Sequence, residues 1–466
     1  MALGRWCRRR RPRCAVAGRG APSKLARAAA LALCAAAAGA APDAGAPAWY
    51  LRGLADMRFS WQVDGGEQDC DLRERFWISF GEEGRGRVTG YAAGFLTHDL
   101  DGAAYGDRFG GLADTRGRTY GQLSAAYIDL RPEGGPLGTA RVGRQWLEEA
   151  PELVRMDGVR LESAALDSFL AARAVVFAGI PDHLYESSRS GDRVYGGGIT
   201  ARPWRDALLS AVFARIHDTY EIEHVDAAER VSRRDDCLRF SYRQHLLDRR
   251  FVWRSEYALL ENEPRELKLR ASYELPSGKT SVSGRFTWVF SRMDALATEY
   301  DPYYSVLRSL YPYREAGALV RHEFADWFDA GGGVSVRRLV NGARVGAYNH
   351  EFERYYVTAA LRELPFPTSE LVATANCYET GSDRTWAVEG SYAQQLCASL
   401  RCEIGSGYSL WKEDRYDHRE RTDVRSFYLR AAYAVAKAVT LEAEYMLEND
   451  EEGTMHRVEA GVKVRF

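Results

Sequence analysis

The thirteen C-terminal residues, Thr454–Phe466, alternate strictly between two kinds of side chain. On an extended strand, one side would carry the apolar residues Val458, Ala460, Val462, Val464 and Phe466. The other side would carry Arg457, Glu459, Lys463 and Arg465, together with Gly461. A period of two residues is the signature of a β-strand whose two faces meet different solvents.

The same alternation recurs through the chain in segments of about ten residues, the length of a tilted transmembrane strand. Examples are Phe251–Leu259, Leu267–Leu275, Phe427–Val435 and Leu441–Leu447. No apolar run reaches the roughly 18 to 20 residues that a spanning helix needs. The mean hydropathy of −0.39 also argues against a helical membrane protein, whereas 12% aromatic residues suit strands. The pattern predicts an all-β chain that folds as a transmembrane antiparallel up-and-down β-barrel.

Short and long connections alternate between the predicted strands, as they do between the two rims of such a barrel. The layout gives about 22 strands, or 18 or 20 if weak segments fail. The predicted short turns are Gly81–Gly86, Arg131–Leu137, Ser163–Asp167, Pro203–Asp206, Leu246–Arg249, Pro276–Gly278, Asp326–Ala330, Glu363–Pro365, Gln394–Leu396 and Ala436–Lys437. The predicted longer outer connections include Asp99–Arg118, Ile180–Asp192, Asp218–Arg233, Met293–Tyr311 and Lys412–Thr422. In Glu149–Phe177 the composition would also suit a helix.

The N-terminus has the order of a targeting segment. A stretch rich in Arg precedes the apolar, Ala-rich Ala28–Ala41, and small residues follow. We expect a signal peptide over 1–40, a short periplasmic segment over 41–48 and a barrel over 49–466, with no N-terminal plug domain. A basic disordered tail and lipidation at Cys34 are the alternatives. Removing 1–40 takes away nine basic and no acidic residues, so nucleic acid is not an expected partner of the acidic remainder.

Charged side chains are concentrated on the non-apolar side of the predicted strands. A dry, narrow barrel could not hold so many ionised groups, whereas a wide hydrated lumen could. The predicted lumen-lining residues are Arg239, Arg243, Arg254, Glu256, Lys268, Arg270, Glu274, Arg285, Arg430, Glu442, Glu444, Arg457, Glu459, Lys463 and Arg465.

The stretch Met293–Tyr311 is the best candidate for a loop that narrows the lumen. Its tyrosines and acidic residue, Tyr300, Asp301, Tyr303 and Tyr304, would form the constriction. A plain surface loop is the alternative.

Two features resemble a known class of protein. The terminal Phe466 is similar to the last residue of bacterial outer-membrane β-barrels, which their assembly machinery reads as a signal. The segment Ala140–Glu162 contains "VGRQ" and "DGVRLE" and resembles a hairpin of alginate-export-type channels and large porins of deltaproteobacteria. The matching residues are Gly143, Arg144, Gln145, Asp157, Gly158 and Arg160. The resemblance implies a bacterial outer-membrane channel in which these residues pack and pair across neighbouring strands.

Together these observations predict a porin-like channel for passive diffusion of small hydrophilic solutes, with no cofactor and with both termini in the periplasm. Its expected partners are outer-membrane lipid, the barrel-assembly machinery and the solutes. The alternatives are a barrel that sheathes a multihaem cytochrome and a polysaccharide export channel.

An enzyme is the remaining alternative. An outer-membrane hydrolase could use the Asp/His pairs at His183 and His418. The chain contains no G-x-S-x-G, H-E-x-x-H, P-loop or C-x-x-C-H motif, so we expect no enzyme. A metal site at Glu221, Glu223, His224 and Asp226 is less expected than an acidic solvated loop.

Overall fold

The computed structural model describes most of the chain after its N-terminal segment. The described residues are 49–64, 67–82, 86–101, 119–147, 154–166, 170–182, 191–224, 227–290, 312–340, 351–380, 383–414, 419–450 and 453–466. These residues form one sheet of 22 strands, and this part of the chain contains no helical segment. No helix in it is long and apolar enough to cross a membrane.

The strands are numbered in chain order. The first eleven are β1 (Trp49–Asp64), β2 (Glu67–Glu82), β3 (Val88–Asp99), β4 (Thr119–Leu130), β5 (Leu137–Leu147), β6 (Val154–Ser163), β7 (Arg173–Pro181), β8 (Arg193–Ala201), β9 (Ala207–His224), β10 (Ala227–Leu246) and β11 (Phe251–Leu260). The second eleven are β12 (Glu263–Glu274), β13 (Thr280–Val289), β14 (Tyr313–Ala325), β15 (Phe328–Leu339), β16 (Phe352–Arg362), β17 (Ser369–Thr380), β18 (Asp383–Cys397), β19 (Leu400–Asp414), β20 (Arg419–Ala436), β21 (Val439–Asn449) and β22 (Thr454–Arg465).

The sheet closes on itself. Each strand pairs antiparallel with its neighbours in sequence, and β1 pairs both with β2 and with β22. The closing register runs from Leu54 opposite Arg465 to Asp64 opposite Met455. The predicted up-and-down barrel is therefore confirmed, and its strand number is 22. Closure removes the unpaired edges that an open sheet of this size would expose.

The junction of β1 and β22 is called the seam. The terminal Phe466 extends it just beyond the end of β22. Its backbone exchanges two hydrogen bonds with Gly53, at N···O distances of 2.7 and 3.1 Å. A Cβ atom at Gly53 would lie 2.5 Å from Cζ of Phe466, so the aromatic ring covers the glycine. The absence of a side chain at Gly53 thus makes room for the last residue of the chain.

Two predicted outer connections were wrong. Most of Asp218–Arg233 belongs to β9 and β10, and most of Lys412–Thr422 belongs to β19 and β20. Strands that extend past a membrane have water on both faces, so their apolar alternation disappears while backbone pairing continues. The charge-rich composition was therefore mistaken for loop.

Two smaller expectations also need correction. The stretch Glu149–Phe177, where a helix was an option, contains β6 and the first part of β7. The turn predicted at Gln394–Leu396 lies slightly later, because β18 continues to Cys397.

The tightest turns use residues in the left-handed backbone region. The two-residue connection between β11 and β12 places Glu261 and Asn262 at φ of 51° and 66°. Two such residues in succession match the right-handed twist of a hairpin. At the opposite ends of the strands, Leu247, Asp248 and Arg249 between β10 and β11 have φ of 51°, 55° and 68°.

Candidate functional site

The register of the barrel separates its side chains into two faces, because directly opposed residues project to the same side of a sheet. One row at the seam runs Arg430, Glu444, Glu459 and Ser60 on β20, β21, β22 and β1. The face that contains this row is called the charged face. The adjacent row runs Leu429, Tyr445, Val458 and Trp61 on the same strands, and its side is called the apolar face.

Large side chains are exposed on the apolar face. Val357, Val388 and Leu429 keep 60%, 52% and 47% of their accessible surface. An exposed apolar band of this kind requires an apolar environment, since a water-soluble surface rarely presents one. Further exposed apolar residues follow the short turns, among them Phe324, Trp327 and Phe366. These three aromatic residues are in the position of an interfacial girdle.

Register places all fifteen of the predicted lumen-lining residues on the charged face. The sequence thus predicted that these side chains share one face, and that this face lines a lumen stays a prediction. They do not form one cluster, however, and they divide into two groups on different arcs of the barrel.

The first group lies on β10–β13. It contains a row of four arginines on these consecutive strands and, on the same face, Arg239, Glu256, Lys268 and Glu274. Arg243 on β10 lies opposite Arg254 on β11, which lies opposite Arg270 on β12, which lies opposite Arg285 on β13. At the usual interstrand spacing the row is about 14 Å long. All four side chains are exposed.

Carboxylate partners are nearly missing from this row. Among the described residues only Arg285 forms an ion pair, with Glu315 at 2.9 Å. Arg243 donates from Nε to Nε2 of His245 at 2.9 Å. Like charges directly opposite one another destabilise a sheet, so the row keeps an electrostatic cost that pairing would remove. Unneutralised guanidinium groups of this kind attract anions.

The second group is a paired network near the seam. Arg58 contacts Asp56, Glu442 and Glu459 at 3.2, 3.0 and 3.8 Å. Lys463 lies 2.6 Å from Glu442, and Arg457 pairs with Glu459.

The network continues along the neighbouring strands. Arg430 contacts Glu444 at 2.9 Å and Glu403 at 3.6 Å. The groups lie beside a cavity of about 420 Å³ whose wall includes Arg58, Glu403, Arg430, Glu442 and Glu459. Each charge named in this network has a partner of opposite sign, whereas in the arginine row only Arg285 has one among the described residues. Arg465, on the same face of β22, forms no ion pair with the described residues. Counted around 22 strands, β10–β13 and the seam lie on opposite sides of the barrel.

On a third arc of the barrel, β7–β9, the charged face carries apolar side chains instead of charged ones. The sequence did not lead us to expect this. On β7, β8 and β9 this face carries Phe177, Val194, Val212, Ala214 and Ile216, all of them buried. They belong to one cluster with Leu147, Val154, Met156 and Cys237. Runs of apolar residues on both faces, as in β9, were the available signal.

The "VGRQ" and "DGVRLE" segments pair with each other as β5 and β6. Gly143 lies opposite Gly158, and Arg144 lies opposite Asp157. Nε and Nη2 of Arg144 donate to the two carboxylate oxygens of Asp157 at 2.8 and 2.7 Å. This pair projects from the apolar face, because Arg144 also lies opposite Ala126 and Asp157 opposite Ile180.

Several predicted residues lie outside the described part of the chain. These are the constriction candidates Tyr300, Asp301, Tyr303 and Tyr304, the histidines His183 and His418, and the segments 1–40 and 41–48. Asp226 is outside it as well. The constriction and the signal peptide therefore stay predictions.

No protein-family model matches the sequence, and no curated protein matches it. Among solved structures the chain is similar to the siderophore receptor PirA from Pseudomonas aeruginosa, at 12% identity and a TM-score of 0.53. That similarity covers 90% of this chain and 81% of the receptor. The chain has the fold of an outer-membrane β-barrel.

Porins are also among the similar structures. OccK1 (OpdK) from Pseudomonas aeruginosa is 11% identical, with 89% of this chain and 98% of the porin covered and a TM-score of 0.43. A BenF-like porin from Pseudomonas fluorescens Pf-5 is 11% identical, with 89% and 99% covered and a TM-score of 0.44.

Proposed function

We propose that the chain is a porin-like channel of the bacterial outer membrane through which small hydrophilic solutes diffuse passively. Solutes would move through a hydrated lumen lined by the charged face, and no bond would be made or broken. The observation that carries this proposal is the charged face of a closed 22-stranded sheet. The ionised groups of the charged face need water, whereas the apolar face needs lipid. A barrel of this strand number is wide enough for an aqueous interior.

The connections support an orientation. One rim has short connections such as the two-residue Asp326–Trp327. The other rim carries the long connections, such as 100–118 and 290–312, beside two-residue turns such as Glu261–Asn262. In outer-membrane barrels the short turns are periplasmic. Both ends of the barrel would then lie on the periplasmic side, where Phe466 could be read by the barrel-assembly machinery.

The arginine row supports a preference for anions among the solutes. Arg243, Arg254 and Arg270 have no carboxylate partner among the described residues. Several weak binding positions in succession let an ion enter, move along and leave. Small carboxylates and phosphates would therefore pass more readily than cations of the same size.

Planar-bilayer recording of the purified protein tests the channel itself. We expect stepwise conductance increases when the protein inserts. The same protein without any conductance, in bilayers where a known porin inserts, would contradict the proposal.

Neutralising the arginine row tests the proposed preference for anions over cations. In a KCl gradient, the triple variant Arg243→Gln, Arg254→Gln, Arg270→Gln should lower the chloride-to-potassium permeability ratio by about threefold, because three fixed positive charges are removed. The matched control is Arg205→Gln, since Arg205 lies in a turn with its side chain 96% exposed. An equal change in both variants would show that the row does not set selectivity.

A further inference from the structure

Three basic residues lie directly opposite one another near the rim that carries the long connections. Arg193 on β8 lies opposite His217 on β9, which lies opposite Arg234 on β10. Neighbouring strands are about 5 Å apart, so the three Cα atoms span about 10 Å. We call this set the basic row.

The basic row projects from the apolar face. Residues an even number of positions apart on a strand project to the same side, and residues an odd number apart project to opposite sides. The charged face of β8, β9 and β10 carries Val194, Val212 and Arg243. Each of these is an odd number of positions from the basic residue on its own strand. The basic row therefore lies on the side that the proposed function turns toward the membrane.

Little on the apolar face neutralises this row. Arg193 and Arg234 are exposed and form no ion pair with the described residues. Nδ1 of His217 is buried and has no hydrogen-bond partner among them. Asp236, one row away, accepts from Nε and Nη2 of Arg215 and attracts Arg234 only at longer range. Like charges directly opposite one another destabilise a sheet, so an anion that bridges the row would relieve this repulsion.

The same face contains a cavity of about 420 Å³ between β8 and β12, further toward the short turns. The large and small apolar side chains of its wall are Ile199, Leu209, Ala211, Phe240, Tyr257 and Leu267. Ala211 lies opposite Ile199 on one side and Phe240 on the other, so a small side chain between two large ones forms its floor. Ile199 and Phe240 keep 48% and 44% of their accessible surface. The cavity is therefore open toward the membrane.

The basic row and the cavity are about one leaflet apart. From His217 to Ala211 the strand β9 advances six residues, which is about 20 Å. On a strand tilted by about 45° this becomes about 14 Å along the membrane normal, and half of the hydrocarbon core is about 15 Å thick. Past the ion pair of the intervening row, Phe213 and Leu238 lie opposite each other and cover this interval with apolar surface.

The geometry points to a lateral binding site on β8–β12 for a membrane lipid whose headgroup carries a phosphate. This inference rests on the proposed membrane location of the barrel. The phosphate would accept hydrogen bonds from the guanidinium groups of Arg193 and Arg234, which suit bidentate contacts, and from the imidazole of His217. One acyl chain would pass over Phe213 and end in the cavity beside Ala211. Basic groups at headgroup level are a common means of recognising anionic lipids.

Native mass spectrometry of the full-length barrel in neutral detergent tests the site. The probe is dioleoyl phosphatidic acid, and we expect one molecule to be retained per barrel. Dioleoylglycerol, which has no phosphate, and dihexanoyl phosphatidic acid, which is too short to reach the cavity, should both be retained several-fold less. Equal retention of either comparison lipid would overturn the proposal, and so would a mass of two barrels without lipid.

Two pairs of arginine substitutions separate the basic row from charge in general. Arg193→Gln with Arg234→Gln should reduce retention of dioleoyl phosphatidic acid by about tenfold. The matched control is Arg314→Gln with Arg338→Gln, since these two arginines also lie opposite each other on the apolar face, on β14 and β15. The control should retain the lipid. Equal retention by the two variants would overturn the proposal.

The role of the cavity has its own variant. Ala211→Leu fills the floor and should reduce retention several-fold, whereas Ala318→Leu, on the apolar face of β14 outside the cavity, should not. Unchanged retention in Ala211→Leu would overturn the proposal. Conductance of the same preparations tests the channel separately, since an open channel that retains no lipid contradicts only the lateral site.

Discussion

Gly143 lies opposite Tyr127, one position before Arg144, which forms the last residue pair between β4 and β5. We predict that Gly143→Ala destabilises the barrel on the order of 2 kcal/mol, since the added methyl group meets the carbonyl oxygen of Ala126 in a strained backbone conformation. The midpoint of urea unfolding in micelles, followed by tryptophan fluorescence, measures the change. The control is Gly390→Ala. A Cβ at Gly390 would have only one neighbour within 4 Å, at 3.9 Å, so that variant should be nearly neutral. Equal stability of the two variants would contradict the prediction.

Asp206 gives the turn between β8 and β9 a dependence on pH. Arg249 donates a hydrogen bond of 2.9 Å to its carboxylate and holds the pKa of Asp206 below its ordinary value. A lowered pKa means that the stabilisation is present above the ordinary pKa of aspartate and is lost as the pH falls through the lowered value. Asp206→Asn retains tolerance of the left-handed φ of 61° but removes the charge.

The prediction is therefore that Asp206→Asn unfolds at a lower temperature than the wild type at neutral pH. The difference should shrink as the pH falls below about 4. The heat-induced mobility shift in gel electrophoresis, after incubation at each pH, measures it. A difference that is constant over the whole pH range would assign the effect to something other than this carboxylate.

At the scale of elements, the two halves of β4 differ in their partners. Among the described residues, 126–130 pair with both β3 and β5, whereas 119–123 and 125 pair with β3 and have no partner on β5. We predict that amides of 119–125 pointing away from β3 exchange with deuterium at least about tenfold faster than those of 126–130. Hydrogen exchange with mass spectrometry of the protein in micelles measures this ratio. Uniform protection along β4 would show that the strand is paired along its full length.

The sequence predicted elements well wherever one face met lipid. Alternation in Leu267–Leu275 and Phe427–Val435 reflects a strand with an apolar and a charged face. The first segment lies in β12 except for Leu275, and the second lies within β20. Where both faces of a strand meet the same environment, apolar and polar residues do not alternate, so the sequence pattern does not identify the strand. Asp218–Arg233 has charges throughout and was taken for a loop, and the buried apolar arc around Val212 and Ile216 was not foreseen.

The prediction of site residues from the sequence is limited in a similar way. Period-two reasoning assigned Arg243, Arg254 and Arg270 to the charged side of their own strands, because it concerns one strand at a time. It could not place them in a row, since register between strands depends on turn lengths and bulges. A shift of register such as the one between Ala258 and Leu259 has no sequence signature that we recognised.

For the whole molecule, the contact between Gly53 and Phe466 adds to the eleven residue pairs with which β1 and β22 close the barrel. We predict that Gly53→Ala and Phe466→Ala both lower the stability of the refolded barrel, the first because its methyl group displaces the ring and the second because the ring is lost. Each change should cost about 1 to 3 kcal/mol. Urea unfolding in micelles measures both variants side by side.

Assembly in cells should separate the two variants. If Phe466 is also the assembly signal, Phe466→Ala should reduce the amount of barrel in the membrane far more than Gly53→Ala does, because only the former removes the terminal aromatic residue. Quantitative immunoblotting of isolated membranes measures this. Equal amounts of the two variants would leave packing as the role of Phe466.

The pairing of β1 with β22 makes the order of the strands cyclic, so the positions of the chain ends are not dictated by the barrel itself. A linker from Phe466 back to Trp49 would join ends that already lie on adjacent strands. The chain could then be cut at the short turn after β14, where Phe324 lies near the end of the strand. Such a circular permutant would keep every strand pair while moving the aromatic terminus to another place on the rim.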